Sequence, residues 1–144
     1  MNITSVKHLG YEADDVIATL CSDLHRDNEV VIASSDKDMN QLLVYDNVKI
    51  YNPAKKSFFD SDDCFEKFQV HPSNFTFYQA FVGDACDNIK GIKGVGPKTA
   101  VKLINEYKTI EKFVNDEKSK YYKSIDDFKN SLELVTLCTT MDIE

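Results

Sequence analysis

Hydrophobic residues recur at helical or strand spacing along much of this chain of 144 residues. The stretch "EADDVIATLCSDL" (12–24) has apolar positions three and four residues apart, which predicts an amphipathic helix with one face against a core. "VVIAS" (30–34) is a continuous, mostly β-branched run typical of a buried parallel strand. "DKDMNQLLV" (36–44) predicts a turn and a short helix, while "NVKIY" (47–51) and "KSFFD" (56–60) predict a hairpin or two edge strands.

The second half of the chain has helical patterns only. Three helices are predicted from their start signals: Asp60 or Ser61 caps a helix ending at Phe68, Ser73 caps residues 74–82, and Pro97 begins residues 97–107. Three further short helices are expected before the end. The order of elements predicts an α/β domain over residues 1–70, followed by an α-helical module over residues 71–144.

The net charge of -7 by itself argues against nucleic-acid binding, but the charge is unevenly distributed. Residues 91–123 contain 8 lysines and 4 acidic residues, so a basic patch is concealed by acidic flanks. No apolar run is long enough to span a membrane, and the N-terminus lacks the apolar core of a signal peptide. A soluble, cytoplasmic protein is therefore expected. The four cysteines lie far apart, which predicts free, buried thiols.

Seven acidic residues fall in three short clusters. They are Glu12, Asp14 and Asp15; Asp36 and Asp38; and Asp84 and Asp87. Each cluster alone has an ordinary structural interpretation: a solvated helix start, a polar turn and a capping arrangement, although in a helix the last pair would share a face. If the fold brings them together, the carboxylates either hold a proton or bind a cation, and oxygen ligands favour Mg²⁺ or Mn²⁺ over zinc. Two such ions would support phosphodiester hydrolysis.

A glycine-rich turn directly follows the third cluster. "GIKGVGPKTA" (91–100) places Gly94 and Gly96 just before the helix that Pro97 begins. Glycines let a backbone approach a phosphate closely, and the first N–H groups of the helix point towards it. Lys93, Lys98 and Lys102 add an attraction that is independent of base sequence. A plain turn with surface lysines is the alternative. The sequence thus places a candidate DNA-backbone contact beside a candidate metal site.

Three motifs in this order and spacing resemble the 5′→3′ exonuclease domain of bacterial DNA polymerase I, a member of the wider flap endonuclease family. They are "GYEADDVIATL" (10–20), "SSDKDMNQLL" (34–43) and "GDACDNIKGIKGVGPKTAVKLI" (83–104). The resemblance extends over roughly residues 9–140. It implies a PIN-like, parallel-sheet α/β domain followed by a helix–three-turn–helix (helix–hairpin–helix-type) module that binds duplex DNA. It also implies cleavage of 5′ flaps and removal of RNA primers in replication and repair.

The resemblance assigns roles to individual residues. It implies that metal ligands come from the three clusters, namely Glu12, Asp14, Asp15, Asp36, Asp38, Asp84 and Asp87, and that Asp15, Asp36, Asp38 and Asp84 are catalytic. It implies two Mg²⁺ or Mn²⁺ ions, and K⁺ at the DNA-binding turn. The DNA-binding element corresponds to Gly91, Lys93, Gly94, Val95, Gly96, Lys98, Thr99 and Lys102.

The sequence departs from the family pattern at its start, because family members carry a further half before the "GYEADD" motif. We therefore expect a truncated PIN-like domain, the C-terminal portion of such a nuclease, that is weak or inactive alone. The expected partners are duplex DNA with a 5′ flap or 5′ end, and a separately encoded N-terminal half or a polymerase. Two alternatives remain open: a non-catalytic DNA-binding remnant or half of a split nuclease, and a purely structural role for the acids.

Overall fold

A computed structural model of the chain describes residues 3–143. These residues form two compact units. The first unit comprises residues 3–63 together with residues 137–143, and the second unit comprises residues 64–136. No helix among the described residues is long and apolar enough to cross a membrane.

The first unit is an α/β layer built on a three-stranded sheet. Its elements are α1 (Ala13–Leu24), β1 (Val30–Ala33), a 3₁₀ helix (Lys37–Val44), β2 (Val48–Asn52) and β3 (Ser57–Phe59). The strand order is β1-β2-β3, with β1 parallel to β2 and β3 antiparallel to it. Ile50 of β2 lies opposite both Ile32 and Phe59. The predicted hairpin is confirmed, and so is the parallel pairing of the first strand.

The first strand is less buried than its β-branched sequence suggests. Only Ile32 of β1 is buried, whereas Val31 keeps 55% of its surface exposed. In this three-stranded sheet β1 pairs with β2 alone and forms an edge. The expectation of a fully buried strand was therefore wrong for one face, because burial on both faces requires layers on both sides of the sheet.

The last described residues belong to the first unit, although the order of elements along the chain predicted a helical module over residues 71–144. The Cys138 amide donates to Asp15 Oδ1 over 2.8 Å, and the Leu137 amide donates to Gln41 Oε1 over 3.0 Å. Thr19 Oγ1 donates to the Cys138 carbonyl, and the side chain of Met141 is buried. Polar side chains of α1 and the 3₁₀ helix therefore supply the hydrogen-bond partners that residues 137–141 need.

The second unit is all helical. Its elements are α2 (Ser61–Phe68, which begins in the first unit), a 3₁₀ turn (Pro72–Asn74), α3 (Phe75–Val82), α4 (Pro97–Tyr107), α5 (Ile110–Val114), a second 3₁₀ turn (Tyr122–Ser124) and α6 (Ile125–Val135). Asp60 caps α2, because its Oδ1 accepts from the amides of residues 62 and 63. Pro97 is the first residue of α4, as predicted. The Ser73 cap was wrong, because the 3₁₀ turn from Pro72 contains Ser73 and Asn74 precedes α3.

Aromatic side chains form the core of the second unit. Four of its fully buried rings, those of Phe77, Phe81, Phe113 and Phe128, contact one another. Phe81 and Phe113 meet edge to face at 4.7 Å, and Phe113 and Phe128 do so at 4.9 Å. Buried aromatic rings contribute large apolar areas, so this cluster fixes α3, α5 and α6 relative to one another.

All four cysteines are free thiols, as predicted. Cys21 and Cys64 are buried, and burial raises the pKa of each thiol to about 11. The expectation of burial was wrong for Cys86, which is exposed, and for Cys138, which is half-buried. Cys86 lies in an exposed turn and Cys138 in the C-terminal segment, so neither belongs to a helix face that packs against a core.

Candidate active site and nucleic-acid interface

The first acidic cluster lies at the start of α1. Glu12 is the residue before the helix, is exposed and makes no side-chain capping bond. Asp14 and Asp15 lie in the first turn and are half-buried. Negative charge is favoured at this end of a helix. Asp15 has a second role, because its Oδ1 accepts the Cys138 amide over 2.8 Å.

The second cluster follows β1 directly, at the carboxyl end of a parallel strand. The Asp36 amide donates to Ser34 Oγ over 3.0 Å, and Asp36 Oδ1 accepts the Asp38 amide over 2.9 Å. Asp36 thereby caps the 3₁₀ helix, and Asp38 in its first turn is only 9% exposed. The polar turn expected here is therefore a cap that holds one carboxylate at the surface and buries the next.

The third cluster lies in a tight loop after α3 and not in a helix. Asp84 and Ile89 exchange two backbone hydrogen bonds, of 2.8 and 2.7 Å, which close a turn over residues 85–88. Asp84 is 4% exposed, and its Oδ1 accepts the Cys86 amide over 2.9 Å. Asp87 is exposed at the tip of the turn. The two carboxylates therefore differ in surroundings, and because residues 83–96 form the loop expected between the two predicted helices, the pair does not share a helical face.

Two glycines make this loop possible. Gly83 and Gly91 have φ values of +72° and +63°, which L side chains rarely adopt. A Cβ on Gly91 would lie 2.5 Å from both the Gly83 nitrogen and the Phe81 carbonyl oxygen. The buried Gly91 amide donates to Ser131 Oγ of α6 over 3.2 Å. The sequence predicted a DNA contact for Gly91. In the structure its amide is hydrogen-bonded to Ser131, and the absence of a side chain allows the close approach to Gly83 and Phe81.

The glycine-rich turn is an exposed β-turn held by two buried side chains. The Val95 amide donates to the Ile92 carbonyl over 3.0 Å, and both side chains are buried. Lys93 and Gly94 form the exposed corner, and Gly94 has the φ of +82° that a type II turn requires at its third residue. Because the side chain of Val95 faces the core, only its backbone could reach a phosphate.

The basic residues that follow this turn lie on the amphipathic helix α4. Its inner face is formed by Ala100, Leu103 and Ile104, all buried. Lys98 and Lys102 are exposed and lie one helical turn apart, so they share a face. Gly96 precedes α4 and is exposed, and Thr99 is half-buried. The N–H groups at the start of α4 are therefore next to exposed lysines, an arrangement that suits an anion.

The seven predicted ligands are divided between the units, five in the first unit and two in the second. Within residues 3–143, no three His, Cys, Asp or Glu side chains form a group that could hold a metal ion. By chemistry the donors fit a hard divalent ion, because all seven are carboxylates and none is sulfur or imidazole. The gathering of all three clusters around metal stays a prediction.

Two residues that matter for the site were missed by sequence reasoning. Gly83 is needed for the close approach to Gly91, and Ser131 accepts the Gly91 amide 40 residues away. The signal for Gly83 was its place between a helix and an Asp, since a glycine is common where a helix ends. Ser131 gave no signal, because one polar residue in an amphipathic helix is usually exposed.

Comparison with known proteins gives a family for each half of the chain. Residues 1–69 match the family described as 5′-3′ exonuclease, N-terminal resolvase-like domain. Residues 70–144 match the family described as 5′-3′ exonuclease, C-terminal SAM fold. The two matches follow each other without a gap and together extend over the whole sequence.

Individual relatives agree with these matches. The chain is 40% identical over 141 residues to a 5′-3′ exonuclease of Aquifex aeolicus, a match spanning 94% of this chain and 48% of that protein. It is 33% identical over 153 residues to the thermostable DNA polymerase I of Thermus thermophilus, of which it spans 18%. The chain therefore spans about half or less of the length of these relatives.

The fold also has solved counterparts. The bacteriophage T5 D15 protein, co-crystallized with metal ions, superposes with a TM-score of 0.80 and 28% identity over 92% of this chain and 52% of that one. Another structure is of the T5 D15 flap endonuclease with DNA and metal ions; it has a TM-score of 0.78, 28% identity and coverage of 90% and 51%. With both halves of the sequence matched and the fold shared, the chain belongs to the 5′-3′ exonuclease family.

Proposed function

We propose that this chain acts in the divalent-metal-dependent hydrolysis of phosphodiester bonds in DNA, as part of a 5′→3′ exonuclease or 5′-flap endonuclease. The observation that carries the proposal is the loop of residues 83–96 in the second unit. It holds the buried carboxylate of Asp84 and the exposed corner at Lys93 and Gly94 on one short, internally hydrogen-bonded segment. Family membership supports the same conclusion. Such an enzyme would remove RNA primers and 5′ flaps in replication and repair, in the cytoplasm.

In this proposal the turn binds the backbone of duplex DNA. Gly94 lacks a side chain and has no neighbour within 4 Å of the place where a Cβ would lie, so a phosphate can approach the backbone there. Lys93, Lys98 and Lys102 supply positive charge along the same path. The backbone of the turn and the lysine ammonium groups would contact phosphates and not base edges, so binding would be independent of the DNA sequence. A K⁺ ion held by backbone carbonyls of the turn would add a further contact.

The carboxylates of the three clusters would hold two Mg²⁺ or Mn²⁺ ions. Bound ions of this kind supply an activated water and stabilise the charge that develops on the phosphate oxygens. The roles proposed for Asp15, Asp36, Asp38 and Asp84 are to bind and orient the ions. Asp36 and Asp84 each use one oxygen on a nearby amide, which fixes the orientation of the carboxylate before any ion binds.

Efficient cleavage would also require the part of its relatives that this chain does not match, whether that part is on the same polypeptide or on another. The chain covers 48% of the Aquifex relative and 52% of the T5 protein. A nuclease site needs groups that position the scissile phosphate as well as metal ligands. We therefore propose slow cleavage by the 144 residues alone and faster cleavage when the remaining half is added.

A second candidate function is DNA binding without catalysis. One observation favours it: the exposed lysines at the turn and on α4, and the open backbone at Gly94, need no metal to contact a phosphate. The two candidates differ in their response to divalent ions. A catalytic role requires an Mg²⁺ dependence of cleavage, whereas a binding role requires duplex affinity alone.

Duplex affinity tests the DNA-binding part of the proposal. We expect Lys93→Ala/Lys98→Ala to weaken binding of a 5′-flap duplex and to reduce the salt dependence of the affinity, by a slope of about 0.9 per lost phosphate contact. Lys112→Ala/Lys129→Ala is the matched control, because it removes the same charge from two exposed positions on other helices. Equal slopes for the two double variants would refute the assignment of the turn.

Metal binding tests the other part. Asp84→Asn/Asp87→Asn removes two negative charges, and an Asn at position 84 still offers an oxygen to the Cys86 amide. We expect the variant to lose Mn²⁺ binding in calorimetry while its duplex affinity in EDTA is unchanged or higher, since repulsion of phosphate is reduced. Undiminished Mn²⁺ binding by this variant would exclude the loop from the metal site.

A further inference from the structure

A polar cleft of about 560 Å³ lies in the second unit beside α4. Gly94 of the glycine turn lines it, and Thr99, Lys102 and Tyr107 of α4 form one wall. The opposite wall is the segment of residues 116–121, which contributes Lys118 and Lys120 among others. The cleft is therefore lined both by the exposed corner of the glycine turn and by α4.

The second wall is built by its own hydrogen bonds. The Tyr107 hydroxyl donates to Asp116 Oδ2 over 2.7 Å, and the Lys118 amide donates to Asp116 Oδ1 over 3.1 Å. The Ser119 amide donates to the Asp116 carbonyl, and the Tyr121 amide donates to Ser119 Oγ over 3.2 Å. The Asp116 carboxylate thus holds the segment against α4 and fixes the backbone positions of Lys118 and Lys120.

The Tyr107 phenol remains a donor over a wide pH range. Its pKa is raised: a hydrogen bond with Ser119 lowers it, but the hydrogen bond to Asp116, burial and the charges of Asp116 and Glu106 together raise it by more. The protonated phenol keeps its bond to Asp116, so the wall stays in place at neutral pH.

The charge of the cleft favours an anion at its rim. Three lysines line it, against the two acids Glu106 and Asp116. Both oxygens of Asp116 already accept hydrogen bonds, one from the Tyr107 hydroxyl and one from the Lys118 amide, so this carboxylate faces residues of the two walls. Lys102, Lys118 and Lys120 are exposed. Lys120 Nζ lies 5.0 Å from the centre of the Tyr121 ring, which restrains the ammonium group near the wall without neutralising it.

We propose that this cleft is a second contact site for the phosphate backbone of duplex DNA, in which Lys118 and Lys120 bind phosphates beyond those held by the glycine turn. Lys102 lines the cleft and shares a helical face with Lys98 in the first turn of α4. The donors are ammonium and hydroxyl groups, so the site lengthens the footprint on DNA without reading base sequence. The inference rests on the proposed duplex binding by the turn.

The test is the salt dependence of duplex affinity for the full chain, measured by fluorescence anisotropy on a labelled duplex long enough to extend past the turn. We expect Lys118→Ala/Lys120→Ala to reduce the slope of log K against log salt by about 1–2, and to weaken binding at least about fivefold near 0.1 M salt. Lys112→Ala/Lys129→Ala changes the net charge equally and lines no part of the cleft, so it should leave the slope unchanged.

A shorter duplex separates the two contact sites. Shortening the duplex until it reaches only the turn should abolish the effect of Lys118→Ala/Lys120→Ala but not that of Lys93→Ala/Lys98→Ala. If the turn variant lowers the slope and the cleft variant matches the control on the long duplex, the cleft inference fails while the proposed function stands. Absence of duplex binding by the unaltered chain overturns both. Unchanged circular dichroism of each variant shows that folding is not the cause.

Discussion

Replacing Gly91 by alanine should destabilise the chain far more than the same change at Gly94. Both glycines have positive φ values, +63° and +82°, so an alanine at either position costs about 1–2 kcal/mol of backbone strain. A Cβ at position 94 would have nothing within 4 Å. A Cβ at position 91 would lie 2.5 Å from the Gly83 nitrogen and from the Phe81 carbonyl oxygen, both rigid backbone atoms.

The steric part of the cost decides the comparison. Relieving a backbone clash in a packed region costs about 1–3 kcal/mol or more, in addition to the strain. Moving the Phe81 carbonyl also threatens its 2.8 Å hydrogen bond from the Ile92 amide. We therefore expect Gly91→Ala to lower the free energy of unfolding by about 3–5 kcal/mol and Gly94→Ala by about 1–2 kcal/mol.

Urea denaturation followed by far-ultraviolet circular dichroism measures both variants against the unaltered chain. The expected result is a much lower midpoint for Gly91→Ala, with similar slopes for all three proteins. Midpoints for Gly91→Ala and Gly94→Ala that agree within error would refute the close approach of the two loop backbones. The role of the two glycines in forming the loop that contains Asp84 would then lose its basis.

Three further predictions concern other parts of the site and core. Ser131→Ala should lower the free energy of unfolding by about 1–3 kcal/mol in urea denaturation, because the buried Gly91 amide loses its acceptor. Ser131→Thr should restore part of this stability, and equal stability of the two variants and the unaltered chain would contradict the hydrogen bond. Asp15→Asn should abolish Mn²⁺ binding in calorimetry, but its side chain still offers an oxygen to the Cys138 amide. Asp15→Ala should abolish Mn²⁺ binding and also lower the melting temperature, because that acceptor is lost. Equal melting temperatures of the two variants would refute the structural role of this carboxylate. The Cys21 and Cys64 thiols have a pKa raised by burial from 9.0 to about 11, so the stability they contribute is complete below pH 9 and lost as the pH rises to 11. Denaturation at pH 8 and pH 11 should show a loss of about 1–3 kcal/mol per thiol that Cys21→Ala/Cys64→Ala does not show, and an equal loss in that variant would contradict the assignment.

The elements that the sequence predicted well are those with strong local signals. The helical period of residues 12–24 gave α1 to within one residue, and Pro97 marked the start of α4. Asp60 capped α2 as expected from its position before a helical pattern. In each case the information lies within a few residues of the element, so no knowledge of the fold was needed.

The features that were missed depend on residues distant in the sequence. The Asp15–Cys138 hydrogen bond joins residues 123 positions apart and attaches the C-terminal segment to the first unit. The backbones of Gly83 and Gly91 approach each other only because the bridge at Asp84 closes the loop between them. Side-chain periodicity carries no information about such pairings. For the same reason the sequence could identify seven candidate carboxylates but not the surroundings of each.

The most direct test of the central claim is the cleavage of a labelled 5′-flap duplex in Mg²⁺ or Mn²⁺. The purified chain is compared with Asp84→Asn/Asp87→Asn, each alone and mixed with the half of the Aquifex relative that this chain does not match. We predict slow, EDTA-sensitive cleavage by the unaltered chain, faster cleavage in the mixture, and none with the variant. Absence of cleavage in every mixture, with binding of the duplex retained, would contradict the catalytic proposal and leave a DNA-binding protein.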